Sequence, residues 1–289
     1  MKKIIVPTDF SPTSAAALRY AYFLAEAIGL DLEVLHVHDG YGDGDSSSVN
    51  EGDMEAYITT QHSIDQFIYL NLKAGQRVTA CREKETDVNI SSWEIIGKPH
   101  DGLIAASHEE DTRLVVMGAV GTGAVSTMAP LFGSVARTVA KRADCPVLLV
   151  PKDYGAQVLR RASISFGAVS ALRETSKGFD FISSALAPAL RLVHIRDFSK
   201  EPEASEEAEL MKDVVDTRFS GYPVALLDLL DPNVTAHQLL AHAHDDEIDL
   251  LVMGHYHKSL FERLFSGSKI LPTLENINTP MLVIPIADD

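Results

Sequence analysis

Cysteine is almost absent from this chain: its 289 residues include two, Cys81 and Cys145. Neither lies in a CxxC or Cys/His spacing, which excludes a disulfide framework and a zinc centre of the usual kind. A reducing, cytoplasmic home is the expectation. Positive charge is also scarce. Lysine and arginine number 25 against 41 aspartates and glutamates, a formal charge of 25 − 41 = −16. Nucleic-acid affinity comes mainly from Lys and Arg displacing counterions, so a DNA or RNA partner is not expected. An export signal is not expected either, since Met1-Lys2-Lys3 is followed by only four apolar residues before Thr8 and Asp9. One run, Leu114 to Ala136, carries no charge over 23 residues and has the length of a membrane span. Its glycines and Pro130, with Thr122, Ser126, Thr127 and Ser134, make it a strand, a loop and a helix start instead, and no membrane partner is expected.

What is present is enough apolar surface for real cores: 46% of residues are hydrophobic, and the length suits one large core or two of about 150 residues each. An internal repeat decides between them. His108-Glu-Glu-Asp-Thr-Arg-Leu-Val-Val-Met-Gly118 aligns without gaps on His244-Asp-Asp-Glu-Ile-Asp-Leu-Leu-Val-Met-Gly254, an offset of 254 − 118 = 136. Gly133-Ser134 and Pro146-Val-Leu-Leu-Val-Pro151 align on Gly267-Ser268 and Pro280-Met-Leu-Val-Ile-Pro285, an offset of 285 − 151 = 134. The chain therefore reads as two copies, 1–152 and 158–289, joined near Lys152 to Gln157.

Each copy alternates strand and helix. In the first, Ile4 to Val6 is a strand, and Ser11-Pro12 opens a helix that carries Ala15 to Ile28 and stops at Gly29. Leu32 to Val37, Val88 to Ile95, Leu114 to Met117 and Val147 to Val150 are further strands. Met54 to about Ala74 with Gly75 as its stop, His100 to His108, and Ser134 to Arg142 are helices. The second copy repeats the order with strands Ala162 to Phe166, Leu190 to Ile195, Val224 to Leu227, Leu250 to Met253 and Met281 to Ile284. Its helices are Thr175 to Ala187, one starting near Glu203, His237 to His244, and one after Ser268. Apolar β-branched strands alternating with such helices predict, in each copy, an open five-stranded parallel sheet with helices on both faces. Residues 39 to 53 read as a solvated Gly/Ser/Asp loop, with a mobile cover over a ligand as the alternative.

Ligands of open parallel sheets sit outside the carboxyl ends of the strands. In copy one that edge gathers Pro7-Thr8-Asp9, Val37 and the run from Met117 to Val135. Gly118, Gly121 and Gly123 let backbone approach a ligand, and Gly133-Ser134 starts a helix whose amides suit phosphate. Gly118-Ala-Val-Gly121, eleven further residues and Gly133-Ser134 resemble the nucleotide motif G-x2-G-x9-G-[ST] of the universal stress protein family, with two residues too many. Counted from Gly123, the gap to Gly133 has the family's nine. Ile4-Ile-Val-Pro-Thr-Asp-Phe-Ser11, Leu35-His-Val37 and Cys145-Pro-Val-Leu-Leu-Val-Pro151 resemble the same family. The resemblance implies two tandem Rossmann-like domains of the HUP type, and an adenine nucleotide, ATP or AMP, in the first. It implies that Asp9 and Val37 meet the adenosine, that Met117 and Gly118 flank it, and that Gly121, Gly133, Ser134 and Val135 hold phosphates. It also implies that the fifth strands, Val147 to Val150 and Met281 to Ile284, pair the copies into a pseudo-dimer; a further homodimer stays open.

Copy two departs from that pattern. His257 stands where the second glycine should be, and nothing in Ser163-Ile-Ser-Phe-Gly-Ala168 replaces Pro-Thr-Asp, so copy two is expected not to bind ATP in the family manner. Between Gly118 and Ser134 there is no Lys, Arg, Asp or Glu, which favours binding over hydrolysis and leaves charge compensation to Mg²⁺. The pairs His242/His244 and His255/His257 suggest a metal, but His242, His244 and His108 suit helix ends better. Cys145 and Trp93 read as packed side chains, and Glu201 to Glu209 as a solvated helix start. The first reading is a nucleotide-binding stress regulator. Its rivals are an interaction scaffold without nucleotide, and an enzyme on a phosphorylated metabolite using His257, Lys258 and Arg263.

Overall fold

The computed structural model describes residues 2–38, 51–76, 88–119, 132–152, 154–155, 158–196, 222–228, 232–256, 261 and 279–286. The chain divides into two compact units that change over between Gln157 and Val158.

In the first unit, strands β1 (Lys3–Pro7), β2 (Asp31–His38), β3 (Ile90–Ile96), β4 (Thr112–Gly118) and β5 (Val147–Val150) lie in the order β3-β2-β1-β4-β5. Every neighbouring pair is parallel. The central strand β1 is apolar on successive residues because both its faces are covered: Ile4, Ile5 and Val6 are fully buried. Helices α1 (Pro12–Ile28) and α2 (Glu51–Gln76) pack together over one face; α3 (Pro99–Ser107) and α4 (Ser134–Arg142) pack together over the other. Helix α1 starts and stops where its sequence signals predict. The Ser11 side chain accepts the Ser14 N–H at 3.1 Å, Pro12 occupies the first turn, and Gly29 ends the helix with a left-handed φ of 69°.

The second unit repeats this order with β6 (Arg161–Phe166), β7 (Ala189–Arg196), β8 (Val224–Asp228), β9 (Leu250–His255) and β10 (Met281–Pro285), arranged β10-β9-β6-β7-β8 and again parallel. Helix α5 (Val169–Leu186) packs on β6, β9 and β10, and α6 (Pro232–Asp245) against β8. Two glycines mark close approaches of α5 to the sheet. A β-carbon on Gly178 would lie 2.3 Å from Ile284 Cγ2, and one on Gly254 would lie 2.4 Å from Thr175 Oγ1.

The amino edges of the two sheets carry related ion clusters with one sign exchanged. In the first, Lys3 Nζ meets Glu33 at 3.0 Å, Glu109 at 2.6 Å and Asp111 at 3.7 Å. The strand registers put Arg161 where Lys3 stands and Arg191 where Glu33 stands. Arg161 pairs with Glu247, and Arg191 with Asp246. A carboxylate on β2 has become a guanidinium on β7, and the partners have changed with it.

Several sequence expectations shift. Helix α2 begins at Glu51, so residues 51–53 belong to it and not to the loop; residues 39–50 lie outside the described residues. Gly75 does not stop α2, which continues to Gln76, one glycine costing a long helix only about 1 kcal/mol. Helix α5 starts at Val169, six residues before Thr175, because its N-cap is Ala168, which makes no side-chain capping bond and leaves no signal to read. Trp93 is not packed: it is 55% exposed. It sits on β3, the outermost strand, while α3 lies over β2, β1 and β4. The helices expected near Glu203 and after Ser268 fall outside the described residues.

Candidate nucleotide site at the carboxyl edge of the first unit

Strand β1 ends in a turn tied down at nearly every residue. The Thr8 N–H donates to Leu35 O at 2.8 Å, joining the turn to β2. The His36 ring nitrogen Nδ1 lies 2.8 Å from Thr8 O. The buried Thr8 hydroxyl accepts the Phe10 N–H at 3.0 Å and lies 3.2 Å from Ser14 Oγ. Asp9 Oδ1 accepts the Ser11 N–H at 3.1 Å, and the Asp9 side chain is exposed at the edge. Phe10 has a left-handed φ of 60°, a strained conformation for a bulky residue. Its ring packs against His36, with centroids 4.7 Å apart, and edge-on to Phe67 at 5.7 Å.

The neighbouring strands bring in the remaining described candidates. Pro7 is the last residue of β1 and half-buried. Val37 lies next to the end of β2, and its side chain is closely covered: a β-carbon on Gly102 of α3 would lie 3.1 Å from Val37 Cγ1. Met117 is buried, and Gly118 ends β4. The missing side chain of Gly118 serves packing: a β-carbon there would lie 2.8 Å from Thr13 Cγ2 on α1.

The last piece is the start of α4. Gly133 is its N-cap and, having no side chain, makes no side-chain capping bond to the first amides of the helix. Ser134 is exposed and Val135 half-buried. The Gly133 N–H donates to Ala119 O at 2.7 Å, which holds the start of α4 against the end of β4. The structure thus brings Pro7, Thr8, Asp9, Val37, Met117, Gly118, Gly133, Ser134 and Val135 to one edge of one sheet. Gly121, Gly123, Thr122, Ser126 and Thr127 lie outside the described residues.

Some side chains at this edge carried no sequence signal. His36 lies within Leu35-His-Val37, and its bond to Thr8 depends on a strand pairing that spans nearly thirty residues. His38 pairs with Glu94 of β3, whose carboxylate is 1% exposed. Away from the edge, in the amino half of β3, Gln61 and Asp65 of α2 both bond Ser92, at 2.6 and 2.7 Å.

The other chemical candidates stand apart. His242 and His244 sit in the last turn of α6, and His108 caps α3. His255 lies in β9, while His257, Lys258 and Arg263 are outside the described residues. Among the described residues no three of His, Cys, Asp or Glu are grouped to hold a metal ion. Burial pushes the Cys145 thiol up to about 12, which keeps it from acting as a nucleophile. No described helix is long and apolar enough to cross a membrane.

In the second unit, the residues at the end of β6 are Ser165, Phe166, Gly167 and Ala168, with no acidic side chain. Phe166 stacks on His194 at 5.0 Å, and the His194 ring Nε2 lies 3.4 Å from Gly167 O.

Comparison with known proteins agrees with this architecture. The family model "Universal stress protein family" matches residues 1–151. Universal stress protein MJ0577 of Methanocaldococcus jannaschii is 25% identical over 162 residues, 52% of this chain and 95% of its own. Universal stress protein Slr1230 of Synechocystis is 22% identical over 294 residues, 98% of this chain and 99% of its own. Among solved structures, a universal stress protein from Archaeoglobus fulgidus shares the fold with a TM-score of 0.67 at 17% identity, covering 99% of this chain and 97% of that one. With a family model over more than half its length and the same sheet order in both units, the chain belongs to the universal stress protein family.

Proposed function

We propose that the first unit binds an adenine nucleotide, ATP or AMP, at the carboxyl edge of its sheet, and that the protein acts as a nucleotide-responsive regulator. The observation that carries this reading is the convergence of the Asp9 turn with the glycine-capped start of α4, joined to β4 by the Gly133 to Ala119 bond. A carboxylate beside β1 suits the hydroxyls of a ribose. Free amides at a helix start suit phosphate oxygens.

The same residues argue against efficient turnover. Asp9 is the one ionisable side chain among the nine described candidates, and residues 118–134 contain no Lys, Arg, Asp or Glu. Phosphoryl transfer needs a cation on the phosphates and a group to position the nucleophile. In a chain of charge −16, Mg²⁺ entering with the nucleotide would supply the first, and the nine candidates leave only Asp9 for the second. Binding with slow hydrolysis at most is the expected behaviour, with 1–152 as the ligand-holding domain and 158–289 as its degenerate copy.

Isothermal titration of the full chain with Mg·ATP and with AMP tests the reading. Saturable binding at one site, weakened by Asp9→Ala and by Gly133→Val, supports it. No heat with either nucleotide, or binding indifferent to both substitutions, overturns it and leaves the scaffold.

A further inference from the structure

We propose that His36 is the positioning residue of this edge, holding the Asp9 carboxylate in place through the carbonyl of Thr8. The inference deepens the nucleotide reading above and rests on it. Thr8 O is a carbonyl and can only accept, so the ring nitrogen 2.8 Å away must be the donor, and His36 carries its proton on Nδ1. That bond, with the Thr8 N–H to Leu35 O, fixes both backbone ends of the residue Thr8 against β2. Asp9 is the next residue. The strained φ of Phe10 then turns the chain back into α1, and the Phe10 ring closes on His36 itself. A non-glycine residue at positive φ persists only where its surroundings over-determine it. Here they do: a hydroxyl from Thr8 takes the Phe10 N–H, His36 and Phe67 take its ring, and Asp9 Oδ1 takes the next N–H.

The second unit serves as an internal control. His194 holds the register position of His36, one residue past Val193 as His36 is one past Leu35. Its contact is different. It reaches the next carbonyl along, Gly167 O, through Nε2 and at 3.4 Å, beyond the normal range of an N–H···O bond, and Phe166 fills the position of Thr8. No carboxylate follows it to be held. The short Nδ1 bond is found in the copy that has an aspartate.

The test is a substitution series titrated with Mg·ATP on the full chain, with far-UV circular dichroism to check folding. The amide nitrogen of Asn falls near the place of a histidine Nδ1, and that of Gln near Nε2. His36→Leu and His36→Gln are expected to weaken ATP about tenfold, the worth of one hydrogen bond. His36→Asn recovers most of that loss. In the Asp9→Ala background, His36→Leu has no further effect, because the carboxylate it positions is gone. In the wild type, long-range ¹H–¹⁵N spectra are expected to show His36 protonated on Nδ1. If the wild type binds no nucleotide, the functional reading fails and the positioning role falls with it. Should it bind while His36→Leu or His36→Gln matches it, or should His36→Leu cost as much without Asp9 as with it, the positioning role fails alone. An Nε2-protonated His36 also overturns it.

Discussion

Thr13 Cγ2 on helix α1 occupies the space beside Gly118, 2.8 Å from where a β-carbon would stand. The glycine that ends β4 is therefore required by a helix before any ligand is considered. The second unit repeats the relationship with other partners, Thr175 Oγ1 at 2.4 Å from the equivalent point on Gly254. Gly118→Ala is expected to destabilise the first unit by about 1–3 kcal/mol, the usual cost of overpacking a tight contact. Replacing Thr13 by Ser in the same chain removes the crowded methyl and recovers part of the loss. Thermal melts of the single and double variants check this, and a Gly118→Ala protein as stable as the wild type refutes it.

Lys3 supplies a second prediction. Burial works against its ammonium, but the hydrogen bonds and charges of Glu33 and Glu109 outweigh burial and raise it above the usual 10.5. A raised value means that the stabilisation is complete below pH 10.5 and is lost as pH climbs through the folded-state value. Lys3→Met abolishes it at every pH and leaves Glu33 without its cation, at a cost of about 1–3 kcal/mol at neutral pH. Denaturant titration at pH 7 and pH 11 tests both halves: the gap between wild type and variant narrows at the higher pH.

Cys145 gives a third. With its thiol pushed up to about 12, the unfolded chain ionises first as pH rises above 9, so this group lowers stability between those values. At pH 8 the folded thiol is protonated and buried. In a Cys81→Ser background, a disulfide reagent is expected to label Cys145 only at the rate of unfolding. Rapid labelling of the native protein contradicts this.

Trp93, the chain's single tryptophan, gives a direct optical test. Half exposed on the outer strand, it is expected to emit at long wavelength and to be quenched readily by acrylamide in the native state. A blue emission shielded from acrylamide would place it under cover.

The parts of this fold that could be read in advance are those with local causes. Ser11, Pro12 and Gly29 mark α1 because a cap, a fixed φ and a left-handed stop each act within a turn of the residue that causes them. The continuous apolar runs of β1 and β4 follow from a sheet covered on both faces. Helix α5 hides its start because Ala168 caps it without a side-chain hydrogen bond. The exposure of Trp93 does not follow from its residue type, because it depends on strand order, which composition does not encode. At the candidate site, Asp9, Gly118 and Gly133 stand out as residue types suited to an edge. His36 does not, since its partner is a backbone carbonyl in the turn after another strand, and the space beside Gly118 is filled by Thr13.

The bond from the Gly133 amide to Ala119 works as a clasp. By fastening the two ends of the intervening chain to each other, it separates the geometry of those ends from the number of residues between them. The entropy of holding two chain ends together grows only with the logarithm of the number of residues between them, so two more residues between Ala119 and Gly133 cost on the order of 0.1 kcal/mol. The first copy can differ in length from the family motif, and from its own twin, while β4 still hands the chain to α4 at the same point. Length there is a free variable for evolution, and the clasp is what makes it free.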